Sequence, residues 1–360
     1  MRRLIYILTI ILLIVSCEDI YQPNIDSANN LLVVEAILIS NRPDNSIHLY
    51  HTRGFNDADY SYPPVSGANV YLKDDLGNDI SCQEGAQGVY NVNQMLHPER
   101  LYTLNIELDG DVYVSEMQTV PDVPTLDTIY GAYDYTVKID GTANSSDNVE
   151  KDYGIQLYTD IKYRNNTNHY RFYGRKVLQY IDTYDTVEIT LPVTLPIYIW
   201  RSIYPSGTFN IAGPPEYSTS KDISKHPLEF YPQNYNKYFA DTLSFAGWIY
   251  IIDQYGLNED TYNYYKKMNQ QLDAEGKIFD PVYIQLEGNI TCKSNPDKKV
   301  LGNFEISSYA ESRCFLIYNR IKEDFQIKRI PYFYYIPSSG YIKNNMPDFW
   351  ESIYRSYPHE

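Results

Sequence analysis

From Leu31 onward, apolar and polar residues alternate in short runs, and Gly, Asn, Asp and Pro interrupt the runs at close intervals. Alternation with a period of two puts neighbouring side chains on opposite faces of a strand, so such a chain must bury one face of a sheet against a second layer. Ser46 to Arg53 places Ile47 and Leu49 on one face and His48, Tyr50 and Thr52 on the other. Leu101 to Leu108 places Leu104, Ile106 and Leu108 inward and Thr103, Asn105 and Glu107 outward. Gly67 to Lys73 runs into the turn-rich Asp74-Asp75-Leu76-Gly77-Asn78, and Asp109-Gly110 is a hairpin signal leading into Asp111 to Val120. The spacing is that of a β-sandwich. Pro121-Asp122-Val123-Pro124 reads as a stiff linker, which gives a first domain over 31–121 and a second over 126–360. The 39 Tyr, beside only 12 Phe and 3 Trp, agree with a mainly β chain, because Tyr favours strands and suits half-exposed positions.

The second part is again strand-dominated. Gly154 to Tyr163 and His169 to Ile181 read as a long hairpin around Asn165-Asn166-Thr167-Asn168. Leu191 to Tyr204 is apolar and aromatic, yet prolines at 192, 196 and 205 interrupt the stretch around it, which a central strand does not tolerate. It is expected to protrude as a loop, with Tyr198 and Trp200 as candidate interface anchors. Tyr pairing across strands and filling the sandwich core is the plainer reading of the tyrosine excess. One or two short helices are expected. The clearest has Asn258 as cap, Glu259 and Asp260 at its positive end, Tyr262, Tyr265, Met268 and Leu272 as an apolar stripe, and Gly276 as the stop.

Residues 1–16 have the form of a signal peptide: Met1-Arg2-Arg3 is basic and Leu4 to Val15 is apolar, but shorter than the roughly 20 residues that span a bilayer. The run ends in Leu13-Ile14-Val15-Ser16-Cys17, which resembles a bacterial lipobox and makes Cys17 the lipidated first residue of the mature chain, with 17–30 as its tether. An ordinary signal peptide that happens to end in Cys is the alternative. Two or three acyl chains on Cys17 hold a protein on a membrane stably, since each buried methylene contributes about 0.8 kcal/mol. Glu18 and Asp19 resemble the export signal of surface-exposed lipoproteins in Bacteroidota, against a periplasm-facing acidic tether. Loss of Arg2 and Arg3 with the leader leaves 28 basic against 46 acidic residues, a charge of −18, which disfavours nucleic acid as a partner. Cys82, Cys292 and Cys314 then remain; Cys292 and Cys314 are the candidate disulfide, with Cys82 a buried small hydrophobe.

Sites for chemistry are sparse. His48 and His51, three apart on a strand, lie on opposite faces and cannot chelate one ion together. Asp57 and Asp59 could give carboxylates to calcium, but the EF-hand spacing is missing and a solvated acidic loop accounts for them. No hydrolase, P-loop, dinucleotide or zinc motif appears, so no catalytic residue, metal or cofactor is assigned. Asp26-Ser27-Ala28, Asp127-Thr128-Ile129, Asp185-Thr186-Val187 and Asp241-Thr242-Leu243 resemble the O-glycosylation sites of Bacteroidota, a short motif that chance also produces.

Several segments together resemble one family. They are the lipobox, Leu32-Val33-Val34-Glu35-Ala36, Pro64-Val65-Ser66-Gly67-Ala68-Asn69-Val70, Gly88-Val89-Tyr90 and Tyr102-Thr103-Leu104. Further on come Glu287-Gly288-Asn289-Ile290, Leu301-Gly302-Asn303-Phe304 and Pro347-Asp348-Phe349-Trp350. In these the chain is similar to the Bacteroidota lipoproteins catalogued as domain of unknown function 4249, although the paired cysteines that many members carry before the last motif are absent. The resemblance implies an outer-membrane lipoprotein with an immunoglobulin- or transthyretin-like first domain, and a role beside TonB-dependent outer-membrane receptors. It brings no catalytic residues. The expectation is a non-enzymatic, surface-exposed accessory or ligand-binding partner of such a transporter. The alternatives are a structural or assembly lipoprotein of the envelope, or a carbohydrate- or peptide-active enzyme with an unrecognised carboxylate site.

Overall fold

The computed structural model describes residues 30–53, 61–126, 128–139, 149–164, 166–186, 193–232, 244–273, 286–318, 325–329 and 341–342. The described residues hold nineteen strands and one helix, so the protein is mainly β. The first eight strands are β1 (Leu32–Ile39), β2 (Asn45–His51), β3 (Asn69–Asp74), β4 (Asp79–Glu84), β5 (Val89–Val92), β6 (Leu101–Leu108), β7 (Asp111–Ser115) and β8 (Gln118–Thr119). Then come β9 (Thr128–Ile139), β10 (Val149–Ile161), β11 (His169–Thr186), β12 (Val193–Ile203), β13 (Asn210–Ala212), β14 (Ile223–Pro232) and β15 (Ser244–Leu257). Helix α1 (Glu259–Asp273) precedes β16 (Ile290–Cys292), β17 (Val300–Tyr318), β18 (Phe325–Arg329) and β19 (Tyr341–Ile342).

The strands form one sheet in the order β16-β7-β6-β3-β4-β5-β2-β1-β17-β15-β11-β12-β19 and a separate three-stranded sheet, β14-β10-β9. The long sheet doubles back at β4, whose first residues pair with β3 and whose last two, Gln83 and Glu84, pair with β5. The fold-over brings two layers face to face. Leu32, Val34, Ala36 and Leu38 of β1 and Ile47 and Leu49 of β2 belong to one core with Val70, Leu72, Leu104, Ile106 and Tyr113 of the opposite layer. The alternation in β2 and β6 is therefore the alternation of a two-layer core, and Asp109 and Gly110, both at positive φ, make the expected tight hairpin between β6 and β7. The Pro121–Pro124 segment is packed: the Asp122 carbonyl accepts hydrogen bonds from Thr167 and Ser308.

A second core lies between the small sheet and the far half of the long one. Ile155 and Leu157 of β10 and Leu228 and Tyr231 of β14 meet Tyr170 and Phe172 of β11, Tyr250 and Ile252 of β15, and Cys314 of β17. Strands β10 and β11 are thus not the hairpin that their sequence suggests. They belong to opposite layers, β10 pairing with β9 and β14 and β11 with β12, β13 and β15, and the loop between them crosses from sheet to sheet.

Residues 290–307 return to the first sandwich, across the boundary drawn near residue 121. β16 pairs with β7, and the first half of β17 pairs in parallel with the whole of β1, from Leu32↔Val300 to Ile39↔Ser307. The second half of β17 pairs with β15. Phe304 and Ile306 lie in the first core and Cys314 in the second. For the same reason the expected Cys292–Cys314 disulfide does not form: Cys292 on β16 packs in the first core and Cys314 in the second, and the described residues hold no disulfide. Burial pushes the Cys82 thiol up to about 12.

Leu191–Tyr204 is not a protruding loop. Most of it is β12, with Trp200 opposite Gln179 and Tyr198 opposite Ile181 of β11. The proline at 196 is tolerated because β12 lies near the sheet margin, its outer edge paired with β19 only at Ile197 and Tyr198.

Two glycines set how closely β17 can approach its neighbours. Gly302 has φ of 101°, and a methyl group there would overlap the Val34 carbonyl of β1; one at Gly288 would overlap the Gly302 carbonyl. At Gly110, φ 88°, a methyl group meets open space. Gly110→Ala is expected to cost about 1 kcal/mol, the left-handed conformation alone, whereas Gly302→Ala costs about 3 kcal/mol or more because the β1–β17 pairing must also shift. Urea unfolding of the two variants checks the difference.

In the second unit His226 stacks on Phe172 with ring centroids 5.3 Å apart and hydrogen-bonds the Asn210 carbonyl oxygen at 2.6 Å. Burial lowers its pKa to about 4 from 6.5. The unfolded chain therefore binds more protons between these values, and the stabilisation, complete above pH 6.5, is lost as pH falls toward 4. Between pH 7 and pH 5 the native chain is expected to lose about 2 kcal/mol more stability than a His226→Gln variant, measured by urea unfolding at both pH values.

Candidate functional site

Helix α1 is the one helical element against which clefts form among the described residues, and its sequence explains how it is seated. Glu259 and Asp260 suit the positive end of the helix, and Tyr262 N–H donates to the Asn258 carbonyl at 2.9 Å to open the first turn. The Asn258 side chain does not cap this turn. It accepts from Thr119 Oγ1 at 2.6 Å and donates to Gln118 Oε1 and the Thr119 carbonyl at 3.0 Å each, fixing the helix start to β8. The buried residues are Thr261 and Tyr265, while Leu272 of the expected stripe is 41% exposed, because packing is confined to the first turns. Farther along, the Asn269 side chain holds the Phe209 backbone, accepting from its N–H at 2.7 Å and donating to its carbonyl at 2.8 Å.

Under the helix lies a buried polar lock. Glu305 of β17 is 2% exposed and accepts a hydrogen bond from the Tyr265 hydroxyl at 2.7 Å. Its other oxygen lies 3.5 Å from the Arg171 guanidinium, which also sits over the rings of Tyr255 and Tyr265 at 4.5 and 4.8 Å. Burial first, and the Glu305 charge next, hold the Tyr265 hydroxyl protonated far above the ordinary tyrosine range. A buried carboxylate needs such partners, since an unpaired charge there is strongly destabilising.

Two clefts flank the helix. One, of about 290 Å³, is lined by His169, Tyr262, Glu216 and Lys266 among others. Two of its charged groups are paired, Lys266 with Glu216 at 2.8 Å, and His169 stacks on Tyr262 at 4.7 Å. Burial lowers the His169 pKa, opposed by Glu259.

The other cleft, of about 250 Å³, lies between the first turns of α1 and two of the short segments singled out in the sequence. Glu287-Gly288-Asn289-Ile290 and Leu301-Gly302-Asn303-Phe304 are laid side by side. Asn289 donates to the Phe304 carbonyl and accepts from the Phe304 N–H, both at 2.8 Å, and the Asn289 carbonyl accepts from Glu116 N–H at 2.7 Å. Around this wall stand Glu116, Asp260, Glu287 and Lys267, with Tyr264 and Thr261. Thr261 is 2% exposed and its hydroxyl has no hydrogen-bond partner. The cleft is therefore acidic and polar.

The expected site residues fall elsewhere. Tyr198 and Trp200 lie on β12, at the far margin of the sheet from this cleft. His48 is exposed and bonded to Ser46 at 3.1 Å, and His51 points to the opposite face of β2. Among the possible glycosylation sites, Thr128 is exposed at the start of β9. Cys17, Asp57, Asp59, Ser27 and Thr242 lie outside the described residues. Among the described residues, no three His, Cys, Asp or Glu side chains gather as a group that could hold a metal ion, and no helix is long and apolar enough to cross a membrane. Thr261, Arg171 and Glu305 were not visible in the sequence as a group. Glu305 reads as an ordinary outward residue between Phe304 and Ile306, and only the helix laid over it reveals its burial.

Tyr265→Phe leaves Glu305 buried with Arg171 as its remaining side-chain partner, and is expected to lower stability by about 1–3 kcal/mol. Tyr264→Phe, which removes a hydroxyl at the cleft rather than from the lock, is expected to stay within about 0.5 kcal/mol of the native chain. Urea unfolding separates the two.

Comparison with curated proteins and with solved structures finds no match. A family model described as Domain of unknown function (DUF4249) matches residues 18–313, which include the first core, all of the second but Cys314, the helix and the whole of the acidic cleft. The chain therefore belongs to the DUF4249 family.

Proposed function

We propose that this chain is an outer-membrane lipoprotein of Bacteroidota, exposed on the cell surface, which acts without catalysis as an accessory or ligand-binding partner of a TonB-dependent transporter. The observation that carries the reading is the N-terminal sequence: a basic start, a short apolar run and Leu13-Ile14-Val15-Ser16-Cys17, with the family match beginning at the next residue. Acyl chains on Cys17 confine the β-sandwiches to the membrane plane and so raise their effective concentration beside a barrel in the same membrane. The acidic surface keeps the body away from anionic headgroups while the lipid holds it near them.

Affinity purification of the tagged, lipidated chain from its native host in mild detergent, with mass spectrometry of what accompanies it, tests the partner. A TonB-dependent barrel in near-equal amount is the expected result. Recovery of envelope assembly machinery overturns it in favour of a structural role, and recovery of the lipoprotein alone overturns a stable complex. Labelling with radioactive palmitate tests the anchor: the native chain is expected to take up label and Cys17→Ser to lose it and leave the membrane fraction. Turnover of a glycan or peptide by the purified chain would contradict the non-enzymatic reading.

A further inference from the structure

We propose that the 250 Å³ cleft between α1 and the Glu287–Ile290 segment is a binding site for a small organic ligand carrying a primary ammonium group. The proposal rests on the reading of the chain as a binding protein and is independent of which partner it serves.

The electrostatic balance comes first. Glu116, Asp260 and Glu287 line the cleft with a single cation, Lys267, so two negative charges remain uncompensated. None of these four side chains makes an ion pair or hydrogen bond within the described chain, in contrast to the cleft on the other side of the helix, where Lys266 and Glu216 are paired. An anion entering here meets net repulsion, although the cleft borders a helix N-terminus, because the first turn is itself acidic.

The second point is geometric. The three carboxylates do not converge as a group that could hold a metal ion. A primary ammonium group does not need all three at once: it can donate to one carboxylate and to a neighbouring oxygen while its carbon chain occupies the rest of the cleft. Tyr264 also lines the cleft, and an aromatic ring can attract such a cation.

The third point is Thr261. It lines the cleft, is 2% exposed, and its hydroxyl is buried with no hydrogen-bond partner. Buried hydroxyls are ordinarily paired. A ligand N–H that reaches this hydroxyl supplies the missing donor, which an apolar or purely anionic ligand does not.

The test uses the full chain in detergent with cadaverine, a compact diamine, as the probe in titration calorimetry. Diacetylcadaverine, maltose and acetate are the comparison ligands, and every variant is first checked for an unchanged melting temperature. Saturable one-site binding of cadaverine is expected, with no binding of the comparison ligands. The double variant Asp260→Asn with Glu287→Gln is expected to weaken it at least about tenfold, and Thr261→Val several-fold. The pair Glu99→Gln with Asp297→Asn removes the same charge from exposed positions outside the cleft and should leave affinity unchanged. Equal weakening by the control pair reduces the effect to the general acidity of the chain and overturns the site. Binding of maltose or diacetylcadaverine as tight as that of cadaverine overturns the ligand class. Absence of saturable binding overturns both. The transporter reading stands or falls separately, on the purification from the host.

Discussion

Strand β17 carries the architecture. Its first half completes the layer begun by β1 and β2, its second half runs beside β15 under a different core, and no turn or linker separates the two. The units therefore share a backbone hydrogen-bond ladder and are not beads joined at the Pro121–Pro124 segment. The pairing with β1 is parallel and joins residues some 270 positions apart, so its formation must close a very long loop. Non-local pairing of this kind makes folding slow. It also explains why glycine stands at 288 and 302: the approach of the 287–290 segment to β17, and of β17 to β1, leaves no room for a side chain at either position.

What β17 presents on its outer face decides the place of the helix. Asn303, Glu305 and Ser307 alternate with Phe304 and Ile306, an ordinary pattern for a strand with one wet face, yet Glu305 and Ser307 are buried. Helix α1 lays Tyr265 over Glu305. Burying Glu305 has a desolvation cost of several kcal/mol in the absence of partners, and Arg171 from β11 and Tyr265 from α1 offset it together. Because the three residues come from three elements, the pair fixes geometry more than it adds net stability, and an apolar seam would hold the helix as firmly with less specification of its rotation. With Tyr265 anchored beneath, Asp260 and Tyr264 are directed to the cleft wall and Tyr262 to the opposite side against His169.

Local features were legible in the sequence. The alternation in β2 and β6, the Asp109-Gly110 hairpin, the acidic first turn of α1 and the mainly β character all follow from neighbours a few residues apart. What was not legible depends on partners far along the chain. Nothing near β10 and β11 shows that they face each other across a core instead of pairing, because both arrangements need the same alternation. Cys292 and Cys314 looked adjacent because they sit on consecutive strands, but β17 is 19 residues long and carries its cysteine into the other core. Pro196 argued against a strand, and the missing information was that β12 stands near a margin where a lost donor is affordable. The cleft was half visible: the segments 287–290 and 301–304 stood out in the sequence, while Thr261 and Glu116 join them only through the fold.

The position of that cleft is a consequence of the same seam. Its walls come from the end of β7, the start of α1, the segment before β16 and the start of β17, which belong together only when β16 has paired with β7 and β17 with β1. A molecule bound there touches elements of both units, so its binding energy adds to the free energy of closing the seam, by mass action and in proportion to the logarithm of its concentration over its dissociation constant. The helix lock acts from beneath on the same pieces, through Glu305 and Tyr265. Seam, lock and cleft thus form one thermodynamic unit, in which a change that loosens the Glu305 contact also disorders the cleft wall, while removal of a carboxylate at the mouth of the cleft leaves the lock intact. That asymmetry is what allows ligand affinity to be separated from stability in this fold.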